Sequence, residues 1–175
     1  MDIPLTPTVA PDAWVPARSK TVAWHDPGPT AMAGLAMTGM EYFAAMRDGK
    51  LPGPPISALL GIEHVSFAEG EVAFRCEPDE SAYNPIGVVH GGLVCTLLDS
   101  VCGCAAHTLL PAGVGYTSIE LKVSYLRPVR AGDVLTARGW VVKPGSRVTF
   151  AEGEVRNQED KVVASASSSL LIIKP

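Results

Sequence analysis

His90-Gly91-Gly92-Leu93-Val94-Cys95-Thr96-Leu97-Leu98-Asp99-Ser100-Val101-Cys102-Gly103-Cys104-Ala105-Ala106-His107-Thr108-Leu109 is one long apolar run that carries a single acidic residue, Asp99. Its length exceeds that of a strand, and Pro111 and Gly113 stop it, so it predicts a helix from about Gly91 to Leu109. A carboxylate on an otherwise buried helix is costly unless it is hydrogen-bonded or paired. Asp99 is therefore either a residue bonded to backbone or hydroxyl groups, a group at an oligomer seam, or a functional nucleophile or base.

Strands surround this helix in the sequence. Before it, Val65-Ser66-Phe67, a Glu69-Gly70 turn and Val72-Ala73-Phe74-Arg75-Cys76 read as a hairpin, and a polar loop, Glu77 to Asn84, leads to the helix. After it come four strands, Thr117–Leu126, Val134–Val142, Arg147–Val155 and Val162–Ile172. Their breaks are Arg127-Pro128, Gly132-Asp133, Lys143-Pro144-Gly145 and Asn157-Gln158-Glu159-Asp160. Ile119, Leu121, Val123 and Tyr125 alternate with Ser118, Glu120, Lys122 and Ser124, which predicts one buried face. The last strand passes through Ala164-Ser165-Ala166-Ser167-Ser168-Ser169, small enough on both faces for a helix to approach closely. The order predicts an α+β fold, an antiparallel sheet covering one central helix.

Further upstream, Met32, Ala36, Met40, Phe43 and Met46 fall at helical spacings, predicting a helix over Met32–Met46, with Ile56–Leu60 a short helical turn before Gly61. Met40, Phe43 and Met46 either line a pocket or belong to the core. Residues 1–30 read as an irregular lead-in to a single domain over 31–175, with Trp14 and Trp24 expected to dock part of it.

The 175 residues suit one domain, and 47% apolar residues suit a sizeable core. A formal net charge of -4 with no clustered cations argues against nucleic acid as a partner. No apolar run nears the roughly 20 residues of a membrane span, so no membrane partner is expected. Met1-Asp2-Ile3-Pro4 begins no basic stretch followed by an apolar one, so no secretory signal is expected and the location reads as cytoplasmic. Cys76, Cys95, Cys102 and Cys104 sit in apolar runs without CxxC spacing, as buried thiols do. His25, His64, His90 and His107 show no metal-ligand spacing, and His107 reads as a satisfied residue near the helix end; no metal is expected. GxSxG, HExxH, P-loop and GxGxxG patterns are all missing.

His90-Gly91-Gly92 places two glycines where the chain enters the helix. A helix start carries unpaired N–H groups and positive dipole character, and glycine lets a ligand approach the backbone. The motif is either a site for a carbonyl oxygen that develops negative charge or a tight turn with a surface histidine. His90 and Asp99 are nine residues apart, about 2.5 turns, and so face opposite sides. If both act on one substrate, Asp99 of one subunit must face the His90-Gly91 end of another.

Asn84-Pro85-Ile86-Gly87-Val88-Val89-His90-Gly91-Gly92, with Asp99 beyond it, resembles the hotdog-fold acyl-CoA thioesterases of the phenylacetic-acid-degradation (PaaI-like) type. The resemblance continues through Ser118-Ile119-Glu120-Leu121-Lys122-Val123-Ser124-Tyr125 to Leu126-Arg127-Pro128, then Gly132-Asp133 and Lys143-Pro144-Gly145-Ser146-Arg147, and covers about residues 38–173. It implies a central helix wrapped by an antiparallel sheet, in homodimers or homotetramers with active sites at the dimer interface. It also implies hydrolysis of an acyl-CoA to a carboxylic acid and coenzyme A, without a further cofactor. On this pattern Asp99 attacks the thioester carbonyl or activates water. Gly91 polarises the carbonyl with support from His90, Asn84 helps to position water or carboxylate, and Ser118 or Thr117 supplies a hydroxyl. Gly92, Arg127, Arg130, Lys143 and Arg147 fall where relatives bind coenzyme A. Two other readings differ in kind: a non-catalytic acyl-CoA-binding protein, which would be expected to lose Asp99, and an enoyl-CoA hydratase, whose Asn-Pro loop places its His closer than position 90 lies here.

Overall fold

The computed structural model describes residues 16–174. Helix α1 (Pro27–Leu35) starts at Asp26, whose carboxylate accepts from the Gly28 N–H at 2.9 Å. Helix α2 (Gly39–Arg47) follows after a break, so the single helix expected over Met32–Met46 is two. Thr38 makes the break. Its hydroxyl accepts from the Glu41 N–H at 3.3 Å while the Glu41 carboxylate accepts from the Thr38 N–H at 2.8 Å, a reciprocal cap that restarts the chain as a new helix. A one-turn helix, α3 (Pro55–Leu60), is closed by Gly61 in the left-handed region, φ 67°.

The hairpin consists of β1 (Ile62–Ala68) and β2 (Glu71–Cys76), joined through Gly70 at φ 77°. A 3-10 turn, Glu80–Ala82, precedes the central helix α4 (Gly91–His107). Four strands complete the chain: β3 (Gly115–Tyr125), β4 (Leu135–Lys143), β5 (Val148–Arg156) and β6 (Val162–Ile173). All six pair antiparallel in the order β1-β2-β4-β5-β6-β3, so α4 carries the chain from the hairpin to the far edge of the sheet. This is the expected α+β arrangement of a sheet around one helix. No helix among the described residues is long and apolar enough to cross a membrane.

Leu97, Leu98, Val101 and Ala105 of α4 are fully buried against Val72, Phe74, Leu135, Ala137, Val155 and Ala164. Each such leucine contributes about 1.5–3 kcal/mol. Phe43 joins the core rather than a pocket, packed on Phe67 and His107. The close approach of helix to sheet lies on β4 and β5, not on the small residues of β6. Gly139 and Gly153 are cross-strand neighbours, and a Cβ built on Gly139 would stand 2.4 Å from the Val101 backbone. Glycine alone lacks the atom that would intrude. On β6, Ala164 is core, and the Ser168 hydroxyl turns to donate to the Glu120 carbonyl at 2.9 Å.

Two other expectations are corrected. Part of the lead-in docks, but through ion pairs of Arg18 with Glu80 and Lys20 with Asp79 rather than through Trp24, which lies beside Pro54 and Ala58 with 63% of its surface exposed; Trp14 lies outside the described residues. Strand β3 does not bury one regular face. A bulge at Ile119, between Ser118 and Glu120, inverts the alternation. Tyr116 and Ser118 point to α4 before it and Leu121, Val123 and Tyr125 after it, and Ile119 is 56% exposed. β3 is also an edge strand, so only β6 covers its flank.

Two outcomes are expected from this packing. Gly139→Ala forces its methyl into immovable helix backbone, at about 1–3 kcal/mol for such overpacking, and a thermal melt should show a midpoint lowered by several degrees. His107 packs among Tyr42, Phe43 and Tyr116 at ring centroids 5.2, 5.6 and 5.5 Å, and burial holds its imidazole below the ordinary value of 6.5. The unfolded chain therefore binds this proton first. Its contribution is complete above pH 6.5 and is lost as pH falls from there through the depressed folded value. Urea titrations from pH 7.5 to 5 should show this fall, and His107→Gln should reduce it, leaving the share of His64, which burial also holds below its ordinary value.

Candidate active site

Helix periodicity places Gly91, Cys95, Asp99 and Gly103 on one face of α4, four residues apart. That face meets β3. The Tyr125 ring covers Gly91, Ser118 meets Asp99, and Tyr116 covers Gly103. Asp99 is half-buried, and the Ser118 hydroxyl donates to its carboxylate at 2.7 Å. The two line an open cleft of about 340 Å³ with Cys95, Thr96, Ile119, Glu120 and Leu121. The carboxylate thus keeps one hydrogen bond and access to water, which relieves the burial cost the sequence implies. Of the two candidate hydroxyls, Ser118 is the one that meets Asp99. Thr117 precedes it by one residue, pairs with the exposed Leu171, and faces the other side of the sheet.

The helix start is built with equal economy. His90 is the N-cap in extended backbone, φ -61° and ψ 134°, and its Nδ1 accepts from the Gly92 N–H at 2.8 Å. The Leu93 N–H donates to the His90 carbonyl at 3.0 Å. The Gly91 N–H is left, among the described residues, without an acceptor. It opens on a second cleft of about 340 Å³, lined by Val88, Val89, Val94, Tyr125, Arg127 and Pro128 among others. The His90 Nδ1 must be unprotonated to accept, which leaves Nε2–H outward. Tyr125 donates its hydroxyl to the Gly91 carbonyl at 3.0 Å. Partial burial, then the neighbouring Cys95 thiol, push this phenol above its ordinary value, so it keeps the proton it donates.

Other candidates are placed differently. The Asn84 side-chain oxygen accepts from the Ile86 N–H at 3.1 Å and the Val88 N–H at 3.3 Å, shaping the loop into α4; it makes no hydrogen bond to His90 or Asp99. Gly92 is exposed but its N–H is taken by His90. The four cations do not converge within one protomer. Arg127 and Arg130 lie at the sheet end that holds the start of α4, with the Arg127 guanidinium on the Val162 carbonyl. Lys143 and Arg147 flank the β4–β5 turn at the opposite end. Gly91 and Asp99 are themselves separated by eight residues, about 12 Å of helix, in separate clefts. Among the described residues no three His, Cys, Asp or Glu side chains gather as a metal site.

Tyr125 and Cys95 had no individual role in the sequence reading. The four-residue spacing 91, 95, 99, 103 was the signal for Cys95. Nothing local marks Tyr125, because its partner is 34 residues away.

The chain and its sheet-wrapped helix have counterparts among known proteins. The model of the thioesterase superfamily matches residues 86–164. A Halobacterium salinarum protein with a provisional esterase name is 35% identical over 131 residues, covering 71% of this chain and 85% of the relative. The medium/long-chain acyl-CoA thioesterase YigI of Escherichia coli is 27% identical over 135 residues, 67% of this chain and 85% of the relative. The structure of the Escherichia coli PaaI protein, from the phenylacetic acid degradation operon, superposes with TM-score 0.69 at 25% identity, over 79% of this chain and 96% of that one. With sequence and fold in agreement, this chain belongs to the thioesterase superfamily, as a thioester hydrolase of the PaaI-like hotdog type.

Proposed function

We propose that this chain hydrolyses acyl-coenzyme A thioesters to a carboxylic acid and coenzyme A, at sites that two protomers build together. The observation that carries this reading is the Asp99–Ser118 pair in an open cleft, one helix face shared with an N–H that has no acceptor among the described residues. The activity named for the Escherichia coli relative supports coenzyme A esters as the substrate class.

In this reading the thioester oxygen sits at Gly91 N–H, where the helix start favours the negative charge that grows there. Asp99 either attacks the carbonyl carbon or takes a proton from the water that does. Ser118 orients the carboxylate or the water. Collapse of the tetrahedral intermediate breaks the C–S bond, and the departing coenzyme A thiolate takes up a proton; where Asp99 itself attacked, water then cleaves the mixed anhydride, freeing the carboxylic acid and restoring the carboxylate. No metal or further cofactor enters this chemistry.

The 12 Å separation of the two halves in one chain favours a shared site. β3 is eleven residues long, and no strand among the described residues pairs its outer edge, a template for a second copy. Antiparallel pairing of two β3 strands reverses one protomer against the other. The Asp99 cleft of each then meets the helix start of its mate, and Arg127 and Arg130 of one approach Lys143 and Arg147 of the other as a phosphate-binding group. Cysteines without disulfide partners suit a reducing cytoplasm.

Thiol release from short, medium, long and aromatic acyl-CoAs tests the activity. Asp99→Asn is expected to lose at least about 100-fold in kcat while its melting midpoint holds; binding without cleavage by the wild type would leave a binding protein instead. The shared site has its own test. Proline fits the first position of a helix and removes the Gly91 N–H, with Gly91→Ala the control for the Cβ it also sets against the Tyr125 ring, and His90 already has the extended backbone a following proline needs. Unfolding and refolding an equimolar mixture of inactive Asp99→Asn and Gly91→Pro chains should restore about a quarter of wild-type activity through mixed dimers that keep one intact site. No recovery would place both halves of the site in a single chain.

A further inference from the structure

Two hydrogen bonds converge on one peptide group, the one joining Gly91 to Gly92. Its carbonyl accepts from the Tyr125 hydroxyl at 3.0 Å, and its N–H donates to His90 Nδ1 at 2.8 Å. The same phenol ring fills the space over the Gly91 Cα, where a Cβ would stand 3.1 Å from the Tyr125 Cζ. The plane is thus held at both ends, by the N-cap side chain and by one from β3. Its neighbour, the Gly91 N–H, is the donor left without an acceptor among the described residues, and Gly91 lines the cleft that Tyr125 also lines.

Stability alone gives little reason for this bond. Tyr125 is 55% exposed, so it buries little apolar surface. The Gly91 carbonyl also stands where the helix supplies an acceptor's partner of its own, the N–H four residues on. The hydroxyl therefore adds orientation to a group that the fold already satisfies.

Resting on the thioesterase reading above, we propose that Tyr125 is a positioning residue for hydrolysis: together with His90 it clamps the Gly91–Gly92 peptide and aims the Gly91 N–H at the thioester oxygen. Tyr125 touches no reacting atom in this role. Its effect falls on the transition state, where the oxygen carries the most charge and donor alignment matters most.

The test compares wild type, Tyr125→Phe, His90→Ala and the double variant on whichever acyl-CoA the wild type cleaves fastest, with melting curves beside the kinetics. Tyr125→Phe should lose roughly 10-fold in kcat, the worth of one hydrogen bond, with KM and melting midpoint unchanged. The double variant should lose less than the product of the single losses, because either removal already releases the peptide. An unchanged kcat in Tyr125→Phe, a loss that follows KM or the melting midpoint, or fully multiplicative losses would each overturn the clamp while leaving thioester hydrolysis intact. A wild type that cleaves no acyl-CoA would instead bring down the thioesterase reading, and the role of Tyr125 with it.

Discussion

The backbone of α4 rests directly on the backbone of the sheet at Gly139, with Val101 passing where any other residue would place its Cβ. This contact sets the height of the helix above β4 and β5, and through the rigidity of a seventeen-residue helix it sets where both ends lie. Leu97, Leu98 and Ala105 can then be fully buried on the inner side while the face carrying Gly91, Cys95 and Asp99 meets β3. A helix held further out would part Ser118 from Asp99 and Tyr125 from Gly91. The candidate site is thus tied to a point of direct backbone contact between helix and sheet.

The same helix imposes a division of labour. A rise of about 1.5 Å per residue keeps the carboxylate and the helix start too far apart to share one carbonyl group within a chain. The proposed two-fold relation would resolve that separation at no cost in sequence, each copy supplying the half its mate lacks. The outer edge of β3 is where such a relation is most readily formed, and it borders both clefts. The cations follow the same logic, two at each end of the sheet.

Much of this was legible beforehand. The apolar run from Gly91, the hairpin and the last four strands all appear close to where periodicity and turn residues put them, because hydrophobic patterning and the Pro and Gly breaks act locally. The N-terminal helix was misread because its apolar spacing runs on through Met37-Thr38, whereas the Thr38–Glu41 cap acts against it. Ser118 is the more instructive residue. Strict alternation puts it on the polar face with Glu120, yet the bulge at Ile119 turns it inward to Asp99. A bulge depends on how β3 matches β6, some 50 residues away, and no local pattern records it.

By itself, then, the sequence determined the elements, their class of architecture, and the two features with chemical potential, a lone carboxylate on an apolar helix and a glycine pair at its start. These depend on side-chain type and short spacing. Only the tertiary structure decided which hydroxyl meets Asp99, that Tyr125 reaches the Gly91 carbonyl, that Gly139 rather than β6 admits the helix, and that the cations divide between the two ends of the sheet. Those outcomes depend on register and on distances between segments far apart in the chain, which take definite values only when the sheet closes around the helix.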